Sequence, residues 1–465
     1  MTASRPSLGI TVMPDFAQSE GVDRVVENIV GRLGCDVICS MPSVAERCPE
    51  GVGAREPPAD AGAGLGRMLD RPLWGNRAIW MRTAPSFVPD GALYRDTPFA
   101  PPVHDALTLR EGRIVGELLS ASRRAGLSTQ LQIMAAAPPA LRVQERGRSG
   151  ADEPLTIYGQ PVPNRVDANI SLASPGLRAY MRALITDLLK NYPDCDALRF
   201  DWPEYPPYAP DSLLFDFSAA AVARGQALGH DVERIRHRAI EALAALRASP
   251  ELSASLTIAA LERESWAADL LAFRSAIVVD YVAALTGLVR EASGGRVAVV
   301  MQAFPPPLNR LSGLDFAAVD GIPDEVSVKH YTMHWPMIER GYVERLASLM
   351  GLRPETIFEK LHAWLGLNGN AGSLAELRYP EPDEAHPADD HALRHTVELA
   401  AGALSRSRLS FIAHGYGPPD DVERRFLALL DGPCRRIHLN RYGYLSDEKV
   451  RRLGAAWREH LAQSS

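Results

Sequence analysis

Apolar residues along this chain recur in two rhythms that alternate from one end to the other. Runs of strand type sit at Gly9-Ile-Thr-Val-Met13, Asp36-Val-Ile-Cys-Ser-Met41, Ser128-Thr-Gln-Leu-Gln-Ile-Met134, Ala197-Leu-Arg-Phe-Asp201, Val297-Ala-Val-Val-Met-Gln302, Val326-Ser-Val-Lys-His-Tyr331, Leu409-Ser-Phe-Ile-Ala-His414 and Arg436-Ile-His-Leu-Asn440. Between them the apolar positions take the helical period, over 22–33, 113–125, 177–191, 232–247, 276–292, 342–350, 391–405 and 422–430, with a last helix over 447–461. Eight alternations of strand and helix without a central reversal predict a closed (β/α)8 TIM barrel rather than an open doubly wound sheet. The chain, 1–465, reads as a single barrel domain.

Capping chemistry marks several boundaries. Ser174-Pro175 places a good N-cap before proline at the first helical position. Tyr192-Pro193-Asp194 stops that helix, because proline lacks the N–H that continues the ladder. Ser446-Asp-Glu-Lys opens the final helix with a cap and two acids suited to its dipole. Three excursions interrupt the minimal barrel. Residues 45–108 are rich in Gly and Pro and hold a further strand-like run, Ala78-Ile-Trp-Met-Arg82; residues 207–296 carry an extra helical hairpin over 231–247 and 255–292; residues 351–390 form a third, with the polar Tyr379-Pro-Glu-Pro-Asp-Glu. Long loops at the carboxyl ends of barrel strands are where such folds build pockets.

Side chains of a barrel strand alternate between the interior and the helical layer, so parity sorts them. The apolar residues Ile10, Val12, Leu131, Ile133, Leu198, Phe200, Val326, Val328, Leu409, Phe411, Ile437 and Leu439 take the outer face. That leaves Thr11, Gln130, Gln132, Arg199, Asp201, Lys329, Tyr331, His414, His438, Asn440 and Tyr442 inward, with Asp15 just past the first strand. Polar groups buried without partners each cost a few kcal/mol, roughly. A polar ligand pocket at the carboxyl-terminal mouth accounts for so many of them. An internal hydrogen-bond network serving the fold is the competing account, above all for Arg199 and Gln130.

Composition narrows the function classes. A net charge of -7 over 465 residues, with no basic run, argues against nucleic acid or an anionic membrane surface as partner. The first residues enter a strand directly, without an apolar leader, which predicts a cytoplasmic protein. The five cysteines, Cys35, Cys39, Cys48, Cys195 and Cys434, form no C-x-x-C pair, so neither disulfides nor zinc are expected. His330-Tyr-Thr-Met-His334 is a poor metal site, since that spacing aligns imidazoles only on a helix. No cofactor motif is present: Gly62-Ala-Gly-Leu-Gly66 lacks the strand that a phosphate-binding turn requires. Oligomeric state is not legible.

The chemistry concentrates in Asp196-Ala-Leu-Arg-Phe-Asp-Trp-Pro-Glu-Tyr-Pro-Pro-Tyr208, a strand ending in two acids among aromatic rings. A carboxylic acid can protonate a glycosidic oxygen, a carboxylate can attack the anomeric carbon, and flat rings pack on sugar faces. Asp201 is the candidate nucleophile, with Arg199 beside it to favour ionisation, and Glu204 the candidate acid/base, desolvated by Trp202, Pro203 and Tyr205. The candidate substrate contacts are Asp15, Gln132, Arg199, Trp202, Tyr205, Gln302, Lys329, Tyr331, His334, Trp335, His414, Tyr416, Asn440 and Tyr442. Asp15, Glu262, Asp315 and Asp420 are reserves for the second carboxylate.

Leu198-Arg-Phe-Asp201 is similar to the strand-four motif of α-amylase-type barrels, and the resemblance makes Asp201 the nucleophile with Arg199 its neighbour. Asp201-Trp-Pro-Glu204 resembles the D-x-x-E of other α-glycosidase barrels. Asp-Trp-Pro-Glu-Tyr-Pro is similar to the D-W-E-Y-P end of the chitinase motif, but Arg199 stands where that motif has an acid, and Pro203 is inserted. With Gly415-Tyr-Gly-Pro-Pro and Asn440-Arg-Tyr-Gly-Tyr-Leu-Ser-Asp-Glu after the last two strands, the layout resembles bacterial glycosyl-hydrolase-like TIM barrels. The resemblance implies a hydrolase acting on a small carbohydrate, without naming the sugar. Two other readings stay open: a Schiff-base lyase of aldolase type using Lys329, against which stands a plain pairing of Lys329 with Asp201 across the cavity, and a saccharide-binding barrel without catalysis.

Overall fold

The computed structural model describes residues 6–49, 51–52, 54–56, 79–138, 141, 152–162, 165–208, 210–248 and 265–464. In chain order its strands are β1 (Ser7–Thr11), β2 (Val37–Ser40), β3 (Ser43–Cys48), β4 (Ala54–Glu56), β5 (Ile79–Pro85), β6 (Ser128–Met134), β7 (Ala197–Asp201), β8 (Ala298–Ala303), β9 (Glu325–His330), β10 (Arg408–His414) and β11 (Arg436–Asn440). Eight of them close into a barrel in the order β1-β11-β10-β9-β8-β7-β6-β2. All neighbours in that ring are parallel. The eight barrel strands are those expected from the apolar runs, and the fold is a (β/α)8 barrel.

Parity holds along these strands. Ile10, Val12, Leu131, Ile133, Leu198, Phe200, Val326, Val328, Phe411, Ile437 and Leu439 are buried in one core with residues of the surrounding helices. Burying each such side chain stabilises the fold by ~1.5–3 kcal/mol, which makes a one-residue slip of any strand prohibitive. Helix Pro175–Asn191 starts as the capping chemistry requires, with the Ser174 hydroxyl accepting from Leu177 N–H at 3.0 Å. Ser446 likewise caps Asp447–Ser464, its Oγ accepting from Lys449 N–H at 3.2 Å.

The excursions take more structure than their composition suggested. Among the described residues of 45–108, β4 and β5 join β3 in a small antiparallel sheet. The second excursion contains the helices Ala219–Ala227, Val232–Ala248 and Ser265–Ser293. Part of the expected hairpin, with Glu262, lies outside the described residues, as does Gly62–Gly66. By length and composition Trp266–Ser293 could cross a membrane, but it buries Phe273, Ile277, Tyr281 and Leu285 in the barrel's helical core. The third excursion, in which no helix was expected, forms one, Pro354–Leu365, whose Ile357, Phe358, Leu361 and Leu365 face helix Trp335–Met350.

Candidate active site

Two layers of polar groups fill the barrel. The lower one centres on Arg199, 1% exposed, which donates to Gln130 Oε1 at 3.0 and 3.1 Å and to Ser327 Oγ at 2.9 Å. Its Nη2 also lies 3.4 Å from His438 Nδ1, and His438 Nε2 meets Thr11 Oγ1 at 2.8 Å. Ser410 continues the network from Ser327 to Glu325 Oε1. Arg199 therefore does not reach the mouth: as a candidate substrate contact it is corrected to a structural cation whose donors are spent below the site.

The upper layer holds the acids. Asp201 ends β7 on the inner face, where its Oδ1 accepts from Lys329 Nζ at 3.2 Å and from Trp202 N–H at 3.0 Å. Gln132 Nε2 approaches its Oδ2 at 3.4 Å, and Gln302 Nε2 donates to Gln132 Oε1 at 2.7 Å. Both glutamines are buried, and Gln132 links Asp201 to Gln302. Glu204, in the turn just past the strand end, is fully buried, with Oε1 receiving Phe304 N–H at 3.2 Å and Oε2 receiving Ser312 Oγ at 2.8 Å. Lys329 Nζ is 3.8 Å from Glu204 and 3.2 Å from Asp201, which puts the nearer oxygens of the two acids at most 7.0 Å apart, the sum of those distances. The Phe304 ring faces the same ammonium at 4.2 Å.

The turn joining the acids is strained. Trp202 has φ 52°, a left-handed conformation that costs a bulky residue about 1–3 kcal/mol. Asn169 holds the turn, its Nδ2 donating to the carbonyls of Trp202 at 3.0 Å and Glu204 at 2.9 Å. Nothing in the local sequence around Asn169 signalled this role, because it depends on a contact across the fold.

Burial pushes the Glu204 carboxyl up to about 7, against the opposing pull of Lys329 and the Ser312 and Phe304 hydrogen bonds. An acid whose folded pKa lies above its unfolded value stabilises the fold below the unfolded pKa, and loses that stabilisation as pH rises through the folded one. Between pH 4.5 and 7 this amounts to on the order of 3 kcal/mol. Glu204→Gln is expected to remove that slope, so urea midpoints of variant and wild type should converge at low pH and diverge toward pH 7. Parallel curves would refute the assignment. Lys329→Met should cost about 3–5 kcal/mol at neutral pH by leaving both acids without their cation. The loss should shrink as pH falls below 7, where Glu204 takes up a proton.

An arc of rings borders the upper layer. Tyr208 contacts Trp202 at 6.0 Å, Phe304 at 5.5 Å and His334 at 6.0 Å. From His334 it runs to Tyr331 at 5.8 Å, on to His414 at 5.0 Å and then to Tyr444 at 5.2 Å. Tyr379 closes over His334 at 6.0 Å and Tyr416 at 5.4 Å. Burial, reinforced by the nearby Lys329 charge, lowers His334 to about 4, leaving a neutral imidazole in the wall. Tyr208, Phe304, Tyr379 and Tyr444 were not among the expected contacts; the available signal was their position just beyond strand ends or inside an excursion.

Asn440 ends β11 in register with Thr11 and His414, and Asp15 is buried in the first turn of the helix Pro14–Glu20 that follows β1. Three other expected contacts point away. The Tyr205 hydroxyl donates to Asp216 at 2.9 Å, with Arg274 over its ring, inside the helical core. Trp335, 1% exposed, packs on His330 and the helices of the third excursion. The Tyr442 hydroxyl meets Asn28 and Glu20, each at 2.8 Å, in the outer shell. Each of these residues lies beyond its strand end, where two-residue alternation no longer governs direction. Among the reserve acids, Asp315 caps the short helix Phe316–Val319 and Asp420 pairs with Arg452.

Two hollows of the described surface lie away from the acids. One of about 1150 Å³ is lined by Glu20, Arg24, Arg113 and Tyr192, and another of about 670 Å³ runs along helix Ser265–Ser293. The mouth itself is nearly closed, with the Asp201 side chain 14% exposed and that of Lys329 3%.

No family model and no curated protein matches the chain. Among solved structures it is similar to a β-galactosidase from the psychrophilic Marinomonas ef1, at 14% identity and a TM-score of 0.53, over 98% of this chain and 60% of that one. It is also similar to the catalytic domain of a β-amylase from Paenibacillus polymyxa, at 9% identity and a TM-score of 0.51, over 100% of both chains. The chain thus spans 60% of the β-galactosidase's length. At such identities the likeness is one of fold.

Proposed function

We propose that the protein is a glycoside hydrolase-like enzyme acting on a small saccharide or glycoside, with Asp201 as the carboxylate that meets the sugar. One observation carries this reading: Asp201 and Glu204 share a single ammonium at the carboxyl-terminal mouth of a barrel, beside an arc of rings suited to stacking on a pyranose. Their separation is compatible with paired-carboxylate chemistry, for which retaining enzymes need ~5 Å and inverting ones ~6.5–9.5 Å. Yet Lys329 contacts both acids and Glu204 is fully buried, so the geometry favours Glu204 as a positioning residue acting on Asp201 through Lys329 rather than as the group that touches substrate. Similarity in fold to a β-galactosidase and a β-amylase agrees with a saccharide site.

The test is a panel of aryl glycosides and small oligosaccharides, with products followed by NMR so that anomeric configuration is read directly. Turnover of at least one is expected. Saccharide binding without turnover, unaltered in Asp201→Asn, would replace the enzyme by a binding barrel. The lyase reading is disfavoured because the Lys329 amine is engaged by two carboxylates and an aromatic face, whereas a Schiff-base amine must be free to attack a carbonyl. Borohydride reduction in the presence of keto sugars is accordingly expected to leave Lys329 unlabelled; a trapped adduct there would restore that chemistry.

A further inference from the structure

The candidate reacting group and the two side chains that position it are too enclosed to seat a sugar ring: Asp201, Lys329 and Glu204 are 14%, 3% and 0% exposed. The third excursion supplies a cover. Between the helices Pro354–Leu365 and Asp390–Ala403, residues 366–389 contain regular structure only in the 3-10 turn Leu374–Glu376. Irregular loops longer than about 12–15 residues inside a compact fold are commonly functional lids.

This loop has two firm anchors. Leu377 is fully buried in the excursion's core. His386 is held by Thr332, whose Oγ1 meets its Nδ1 at 2.6 Å, and by Asp421, which accepts its N–H at 3.3 Å. The strap between them, 378–385, is organised largely on itself. Arg378 and Glu384 close it with two hydrogen bonds of 2.7 Å, and Glu384 also accepts from Glu381 N–H at 2.9 Å. Among the described residues, its backbone bonds run within the strap or to its own flank, Glu384 N to Glu381 O at 3.0 Å and Arg378 N to Glu376 O at 2.8 Å. It meets the mouth through the Tyr379 ring on His334 and Tyr416, and through Pro380 O, which accepts from the Tyr416 hydroxyl at 3.0 Å. Among the described residues these contacts are ring packing on the Met333, Tyr416 and Tyr444 cluster and one side-chain hydrogen bond, without the backbone ladder that fixes the barrel strands, the kind of contact a lid can release.

We propose that the strap 378–385 is a lid and that Tyr379 is its gating residue, closing the mouth in the empty protein and packing on the sugar after entry. This deepens the reading of Asp201 as the group that meets substrate. Its test needs neither turnover nor a known sugar. Carbodiimide with glycine ethyl ester labels accessible carboxylates, and peptide mass spectrometry reads the rate at Asp201. Tyr379→Ala is expected to raise that rate severalfold, Tyr379→Phe to leave it at the wild-type value, and exposed Asp315 to react equally in all three. A wild-type rate at Asp201 in a natively folded Tyr379→Ala protein overturns the proposal. In the wild type, amides of 378–385 should exchange with deuterium much faster than those of Asp390–Ala403; equal protection overturns it as well. Faster labelling with no glycoside turned over would leave the lid standing and remove the hydrolase reading, whereas turnover with unchanged labelling would do the reverse.

Discussion

Asp201→Asn is expected to lower kcat/KM on the best glycoside by roughly 10³-fold or more, the scale seen when a reacting group is removed and only binding remains. The substitution is nearly isosteric. Trp202 N–H still finds an oxygen, and Lys329 keeps Glu204, so circular dichroism and the urea midpoint should change little by comparison. The loss should fall on kcat, with KM moving far less, because the rings that would hold the sugar belong to other loops. Asp315→Asn serves as control, since that carboxylate caps a peripheral helix. If Asp201→Asn retained a tenth of wild-type activity, Asp201 would not be the reacting group.

Acid should destabilise this protein well before its surface carboxylates titrate. His330, His386, His414 and His438 are 2%, 2%, 5% and 3% exposed. Burial, aided by neighbouring cations such as Arg425 and Arg199, holds each below the ordinary histidine value, His330 down at about 3. Hydrogen bonding agrees: His414 Nδ1 accepts from Tyr416 N–H at 3.1 Å, and His438 Nδ1 faces the Arg199 guanidinium, so neither nitrogen can take a proton without losing a partner. A depressed histidine contributes stability that is complete above the unfolded pKa of 6.5 and is lost as pH falls toward the folded one. By pH 5 the His330 ring should forfeit on the order of 2 kcal/mol, and His386, His414 and His438 act in the same direction. Glu204 changes in the opposite direction, returning part of the loss over the same range. The net expectation is a steep fall in Tm between pH 6.5 and 5, partly relieved in a His330→Phe variant. A flat Tm over that interval would show that these rings are not held neutral by the fold.

Much of the scaffold was legible from period alone, because a buried strand or amphipathic helix must place its apolar residues at intervals its own geometry sets. Leu198 and Phe200 had to face helices, and that put Arg199 and Asp201 into the barrel. Parity stopped being informative where strands stopped: Tyr205, Trp335 and Tyr442 all turned into the surrounding core. Helix Pro354–Leu365 was missed because it lies in an excursion read for its polar tail, although Ile357, Phe358, Leu361 and Leu365 have helical spacing.

By itself the sequence determined the eight strands, the helices between them, the inner face of each strand and the acids at the end of β7. All of these follow from local periodicity and from the cost of burying polar groups on the wrong side. Only the tertiary structure decided that Arg199 supports the site from below, that the Lys329 paired with Asp201 also reaches a buried Glu204, that Asn169 holds the strained turn and that Tyr379 packs on His334 and Tyr416. Those relations connect residues far apart in the chain. Closure of the barrel sets their distances, and no local pattern encodes such a distance.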